Sequence, residues 1–384
     1  MNRTILYNVR PLAGESGWVL IEDGKIVRVD ADDAPTLENR ENRPELINGG
    51  GCVALPGFID VHVHGAVGHD TMNAAEEALL AMARFYASHG VTAFLPTTMT
   101  SSDEATFAAL QNVAQHMGPV AGGATILGVH LEGPYINVKM KGAQEGSYIR
   151  LADPKAYEKW LDLDTIRQVT VAPEFPENRK FIEACIARGI NVSIGHTAAT
   201  YEEVQQAVIL GARQATHTFN AMTGVHHRNP GTAGAVLTMD EIACELIADN
   251  IHVHPAIMKL IVRAKGANRV VLITDAIMGA GLADGQYELG GQPVFVRNGM
   301  ATLADGTLAG SILTMDRALR NILAATGLPL AEAWPMTSAN AASQLGLAHR
   351  KGQLAPSFDA DIVLLDDANQ VTLTMAGGRV VYRR

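Results

Sequence analysis

Cysteine is scarce in this chain of 384 residues: Cys52, Cys185 and Cys244 lie far apart and make no C-x-x-C pair. An odd count at that spacing argues against a disulfide framework and predicts reduced thiols, packed as small hydrophobes in a cytosolic protein. No run of about 18 apolar residues occurs, so no membrane span is expected. The opening Met1-Asn2-Arg3-Thr4-Ile5-Leu6-Tyr7 has no apolar leader core followed by a small-residue cleavage site, and the expected location is the cytoplasm. A basic stripe is missing too. With a net charge of −10, nucleic acid is not an expected partner, although a small anionic substrate needs only a local cluster of donors.

What remains is a core-forming composition. Hydrophobic residues make up 47% and charged residues 18%, enough for one large domain or two ordinary ones. The first ~54 residues read as short strands and turns. Within them, Trp18–Glu22 and Lys25–Val29 flank Asp23-Gly24, a hairpin signal. The last ~30 residues are similar, with Asp361–Leu365 and Arg379–Tyr382 strand-like and Gly377-Gly378 a turn. Neither end can bury a core alone, so residues 1–54 and 353–384 are expected to pair into one discontinuous β domain with the middle of the chain inserted.

From residue 55 to 352 apolar strand-like runs alternate with helical stretches. The strand candidates are Gly57–His62, Ala93–Thr97, Ile126–Leu131, Val169–Ala172, Asn191–Ile194, Gln214–Thr216, Cys244–Ile247 and Val270–Ile273. Segments such as Ala75–His89 and Tyr201–Ala212 have helical spacing. Repeated βα units imply a parallel sheet, and eight of them suggest an α/β fold of the closed (β/α)8, TIM-type barrel kind. A doubly wound open sheet is the alternative, but no glycine-rich dinucleotide fingerprint follows the first strand.

The strand ends carry the chemistry. His62-Val63-His64 closes the first apolar run, and two imidazoles one residue apart project to one side of a strand, close enough to hold one divalent ion. Further along stand His130-Leu131-Glu132-Gly133-Pro134, Gly195-His196-Thr197, His217 to Met222, Asp249-Asn250-Ile251-His252 and Thr274-Asp275-Ala276. Singly, each has an ordinary structural explanation: Glu132 as a helix-start carboxylate, His196 as a cap, His217 as a donor to a loop. Together, six polar strand ends form a constellation at the mouth where a barrel places its chemistry. Asp275 closes a buried strand with a charge, which favours a partner such as a metal or a protonated base. His130 reads as a supporting residue, since Glu132 shares its strand face. His226, His227 and His254 read as loop residues near the mouth.

These residues resemble a known group. Pro56-Gly57-Phe58-Ile59-Asp60-x-His62-x-His64-Gly65 is similar to the first-strand signature of the amidohydrolase superfamily. The Glu132, His196 and His217 segments, with His227-Arg228-x-Pro230-Gly231, Thr274-Asp275-Ala276 and Leu308-Ala309-Gly310-Ser311, resemble the N-acetylglucosamine-6-phosphate deacetylases within it. The likeness covers essentially the whole chain. It implies a (β/α)8 barrel with a small β-sandwich built from both termini. It implies Glu132, His196 and His217 as ligands of one divalent metal, with His62 and His64 matching the positions that hold a second; one ion or two are both compatible with the motif. Zinc, iron, manganese and cobalt all suit such donors. Asp275 matches the family's catalytic acid/base. Ala143, Gln144, Asn220, Ala221, Arg228, His252, Leu308, Ala309 and Gly310 match substrate-contact positions. Members are homodimers in which the neighbouring subunit supplies a phosphate contact, and Arg228 with its loop matches that donor.

Two departures stand out. Gln144 occupies a position where some members have histidine, and Asn250 replaces the glycine usual in Asp-Gly-x-His. The expected activity is hydrolysis of the acetamide of an N-acetylhexosamine 6-phosphate, on the glucosamine form first and the galactosamine form as the nearest rival. A cyclic-amide hydrolase of the dihydroorotase kind is a second rival, disfavoured because Glu132 stands at the bridging place a modified lysine takes there. A barrel that has lost its chemistry is the third, and the full set of ligand candidates speaks against it.

Overall fold

The structure, a computed structural model, describes residues 3–11, 16–31 and 44–384. Parts of the expected terminal β domain, residues 1–2, 12–15 and 32–43, lie outside the described residues. The chain opens with strands β1 (Arg3–Pro11), β2 (Gly17–Glu22), β3 (Lys25–Asp30) and β4 (Glu45–Pro56). Then come β5 (Phe58–Val63), β6 (Val91–Pro96), β7 (Val129–Glu132), β8 (Ile166–Val171), β9 (Asn191–Ile194), β10 (Gln214–Ala215), β11 (Ala243–Ile247) and β12 (Val270–Ile273). A helix follows each of these before the next: α1 (Glu76–Ser88), α2 (Asp103–His116), α3 (Pro154–Leu161), α4 (Pro176–Ala187), α5 (Tyr201–Leu210), α6 (Gly231–Thr238), α7 (Pro255–Lys265) and, after an insertion, α8 (Met315–Thr326).

Strands β7 to β12 form one parallel sheet in strict sequence order. The order never reverses, so there is no switch point of the doubly wound kind. Strands β5 and β6 pair in parallel in a second sheet. Parallel bridges tie this sheet to both edges of the first, Thr97 to His130 on one side and Val63 to Ala276 on the other. Backbone bonds reinforce both seams: Thr98 N to His130 O at 3.0 Å, and Asp275 N to His62 O and His64 N to Ala276 O at 2.8 Å each. The parallel strands are therefore curled, with each end brought back beside β5 and β6.

The helices follow from local sequence. In α1, Leu79, Met82, Ala83 and Tyr86 recur at three- and four-residue spacing and are buried, while Glu76 and Glu77 occupy the first turn where the helix dipole favours them. Burying Leu79 or Met82 contributes on the order of 1.5–3 kcal/mol each. Helix α5 starts at a capping box, Thr200 with Glu203, and stops at Gly211, whose φ of 119° suits glycine alone.

An antiparallel three-stranded sheet, β13 (Gly285–Leu289), β14 (Gln292–Arg297) and β15 (Met300–Thr302), is inserted between β12 and α8. The chain ends with β16 (Ile362–Leu365), β17 (Val371–Ala376) and β18 (Arg379–Arg383). These join the N-terminal strands in a single seven-stranded sheet of order β18-β17-β16-β4-β1-β2-β3. That sheet curls over its own core of Leu6, Val19, Ile21, Ile26, Ile47, Ile362, Leu364 and Met375. The β2–β3 turn thereby returns to the C-terminal segment, with Ile26 N bonded to Phe358 O at 2.8 Å. No helix among the described residues is long and apolar enough to cross a membrane. All three cysteines are free, and Cys185 and Cys244 are buried.

Candidate metal centre and substrate cavity

Each chemical side chain sits where a parallel strand ends. His62 lies in β5 and His64 just past it; Glu132 closes β7; His196, His217 and Asp275 follow β9, β10 and β12 within two residues. His196, His217 and Asp275 have φ values of 46°, 27° and 49°. That left-handed backbone is costly for residues with a Cβ and is held here because the chain must leave the strand and turn across the mouth.

Three atoms from distant segments meet. Glu132 Oε1 lies 3.2 Å from both His196 Nε2 and His217 Nε2, and the two nitrogens are 3.1 Å apart. Ligands of a tetrahedral ion at about 2.0–2.1 Å stand roughly 3.3 Å from one another, so these donors have the spacing of one shared cation. A second group adjoins them. His62 Nε2 is 3.4 Å from Glu132 Oε1, and His64 Nε2 is 3.3 Å from Glu132 Oε2. Asp275 Oδ1 stands 3.5 Å from His62 Nε2 and 3.1 Å from His64 Nε2. Glu132 thus faces both groups, and His62 Nε2 is a buried nitrogen with no hydrogen-bond partner among the described residues. An orphaned, buried imidazole nitrogen beside two carboxylates is what a divalent cation would satisfy.

The rings are held from behind. His196 Nδ1 faces Met140 O at 2.8 Å, His64 Nδ1 faces Thr97 O at 3.2 Å and His62 Nδ1 faces Glu245 Oε2 at 3.1 Å. With Nδ1–H donating to those acceptors, the Nε2 lone pairs are left to point into the centre. The electrostatics agree. Burial alone would depress His64, but Asp275 and Glu132 outweigh it and push its pKa up to about 9. Burial disfavours the charge on Asp275, yet the His62 and His64 rings hold its pKa down at about 2. Glu132 is likewise held well below the usual carboxylate range, against its burial, by His62, His196 and His217. The field of two buried carboxylates holds protons on imidazoles, and a cation would answer the same field.

The centre opens into a cavity of about 390 Å³. Of the anticipated contacts, Ala143, Gln144, Asn220, Ala221, His252, Leu308 and Gly310 line it, as do His64, Glu132, His196, His217 and Asp275. Two do not. Ala309 is buried in the apolar cluster under the inserted sheet, and its amide is spent on Ala301 O at 3.1 Å. Arg228 lies in a separate surface depression with Thr200, Tyr201 and Pro230, its Nη1 2.7 Å from His227 Nε2. Within this chain the Arg228 loop does not reach the cavity that holds Asp275.

Both departures from the family pattern have physical accounts. Gln144 is nearly buried: its Nε2 donates to Glu132 Oε2 at 2.7 Å and its Oε1 accepts from Thr100 N at 2.7 Å. It braces the shared carboxylate. Asn250 has φ 67°, the conformation for which asparagine is the least strained substitute for glycine. The preceding Asp249 then accepts from the amides of Ile251 and His252 and from His252 Nδ1 at 2.7–2.8 Å, fixing His252 at the cavity wall.

His130 plays the supporting part read from its strand position: Nε2 lies 2.7 Å from Thr170 Oγ1 and Nδ1 3.1 Å from Val61 O. His254 caps α7. Sequence reasoning missed Glu245, Lys139, Met99 and Leu289. The last three line the cavity, and Leu289 comes from the inserted sheet. Glu245 had a signal, a lone acid inside the apolar Ala-Cys-Glu-Leu-Ile strand.

The fold and the centre define a member of the amidohydrolase family, and the chain belongs to it: the family's sequence profile matches residues 53–381. It is 41% identical over 94% of its length, and 92% of the relative's, to N-acetylglucosamine-6-phosphate deacetylase of Lysinibacillus sphaericus. It is 37% identical to N-acetylgalactosamine-6-phosphate deacetylase of Escherichia coli O157:H7, over 96% of this chain and 97% of that one. A variant of N-acetyl-D-glucosamine-6-phosphate deacetylase from Mycobacterium smegmatis, solved in complex with N-acetyl-D-glucosamine-6-phosphate, superposes with a TM-score of 0.90 at 32% identity, covering 99% of this chain and 100% of that one.

Proposed function

We propose that this chain hydrolyses the acetamide of N-acetyl-D-glucosamine 6-phosphate to D-glucosamine 6-phosphate and acetate. The observation that carries the reading is the convergence of Glu132, His196 and His217 at 3.1–3.2 Å beside a cavity that also holds Asp275. Glu132, His196 and His217 would hold one divalent ion, and His62 and His64, sharing Glu132, a second. Zinc is the first choice among zinc, iron, manganese and cobalt. Such an ion supplies Lewis acidity, polarising a carbonyl and acidifying water.

The remaining work falls to side chains. Asp275 is anionic and within reach of His64, so it is ready to accept the proton of an attacking water. It then returns that proton to the sugar nitrogen as the C–N bond breaks, which converts a poor amide leaving group into an amine. His252, backed by Asp249, and the Asn220-Ala221 turn offer donors to the sugar phosphate; Gly310 lets the Leu308 loop approach, since a Cβ there would lie 2.9 Å from Asp275 O.

We further infer that β5 to β12 close into a (β/α)8 barrel, supported by the bridges at both seams. The terminal segments 1–54 and 353–384 form its discontinuous β domain, with 55–352 catalytic. A cytoplasmic homodimer completes the reading, with Arg228 serving the neighbouring subunit's phosphate; its separation from this chain's cavity and the exposure of Val225, three residues before it, support that. The 37% identity to the galactosamine relative favours one alternative substrate, the 4-epimer. Acetate release from both phosphosugars, before and after chelation and metal readdition, tests the reading. Metal-dependent release is expected, faster from the glucosamine form. No release from either sugar with any of the four metals would overturn it.

A further inference from the structure

Glu245 is fully buried inside the curled sheet, in the middle of β11. Its Oε1 accepts from Gln168 Nε2 at 2.7 Å and Gln214 Nε2 at 2.5 Å. Its Oε2 accepts from His217 N at 3.2 Å and lies 3.1 Å from His62 Nδ1. Gln168 Oε1 in turn accepts from Asn191 and Gln214, each at 3.0 Å, so the glutamines are locked as well. Apolar side chains normally fill such an interior, and a buried carboxylate is retained there only against its desolvation. Of the imidazole rings named at the centre it meets one, that of His62, since its contact with His217 is to the backbone amide. Among the described residues His62 has no other partner at Nδ1, and its Nε2 is the orphaned nitrogen facing Glu132 and Asp275. His130 packs edge-on against His62 with ring centroids 4.5 Å apart, and its own nitrogens are engaged elsewhere.

We propose that Glu245 is a positioning residue: it holds His62 with Nδ1–H donated backwards and Nε2 presented to the second ion, and so sets whether that ion is retained. This rests on the two-ion reading of the centre. The test is metal stoichiometry and affinity of the whole protein, by elemental analysis after equilibration at fixed free Zn2+ and by Co2+ absorption titration. Two ions are expected for the unaltered chain and one for His62→Asn. Glu245→Gln should keep the first ion at unchanged affinity and weaken the second by ~10–100-fold. Should Glu245→Gln not fold, Glu245→Asp keeps a buried carboxylate while shortening its reach to His62, and the same split is expected. Equal affinities in the variant and the unaltered chain would overturn the inference, as would parallel loss of both ions, which marks a general structural role. A single ion at saturation in the unaltered chain would also sink it while leaving the proposed hydrolysis intact; no ion at all would sink the reading of the centre itself.

Discussion

At the residue scale, Asp275 stands 3.1 Å from His64 Nε2 with a carboxyl held down at about 2, so in the proposed hydrolysis it would enter as a base. Asp275→Asn removes the proton acceptor at nearly constant volume. Turnover is expected to fall by at least ~100-fold, with circular dichroism and the thermal midpoint close to those of the unaltered chain. His252 makes a pH prediction. Burial alone would lower its pKa, but the Asp249 carboxylate outweighs burial and moves it above the ordinary histidine value. Its cationic form therefore persists to higher pH than that of a free imidazole and is lost as pH rises through the raised value, while a phosphate monoester is a dianion above about pH 6. KM for the phosphosugar should rise as pH is taken up through the His252 titration, with kcat less affected, and the rise should vanish in His252→Gln. A flat KM in the unaltered chain would remove His252 from phosphate recognition. Strand-end polarity made His62, His64, Glu132, His196, His217 and Asp275 legible from sequence, because a buried strand that finishes on a titratable residue needs a reason. Which nitrogen each ring presents was not legible, since that depends on acceptors such as Met140 O and Glu245 from other strands.

At the scale of elements, the stretches Ala75–His89 and Tyr201–Ala212 were readable as helices from their spacing almost to their ends, Glu76–Ser88 and Tyr201–Leu210. At the start of the latter, Thr200 accepts from Glu203 N and the Glu203 side chain answers from the opposite direction. Thr200→Ala is expected to cost about 1 kcal/mol of unfolding free energy, read from denaturant melts with the slope unchanged. The inserted sheet of residues 285–302 went unread for the converse reason. Its first strand, Gly285–Leu289, buries only Leu289 and so carries no run of apolar alternation, although that leucine forms part of the cavity wall. In β11 the apolar neighbours of Glu245 predicted a buried strand correctly, and the lone acid among them was the one local sign of its contact with His62.

At the scale of the whole molecule, the terminal sheet and the first parallel strand are joined at a buried seam. Lys351 Nζ lies 2.6 Å from Asp361 and 3.0 Å from Asp359, while Asp361 O accepts from Gly57 N at 2.9 Å beside β5. Lys351→Met fills the space but leaves Asp361 uncompensated; a loss of ~3–5 kcal/mol is expected, read as a lower thermal midpoint with metal content preserved. A midpoint unchanged by that substitution would show the two parts to be held by apolar packing alone. The sequence by itself determined the alternation of strands and helices, the residue types at the strand ends and the family, because these depend on periods of two and 3.6 residues and on local motifs. Only the tertiary structure decided that Glu132 and His217, 85 positions apart, meet at 3.2 Å, that Arg228 stands outside its own chain's cavity, and that Glu245 backs His62. Those distances come from how the curled sheet brings its strands into register, and no local pattern carries that information.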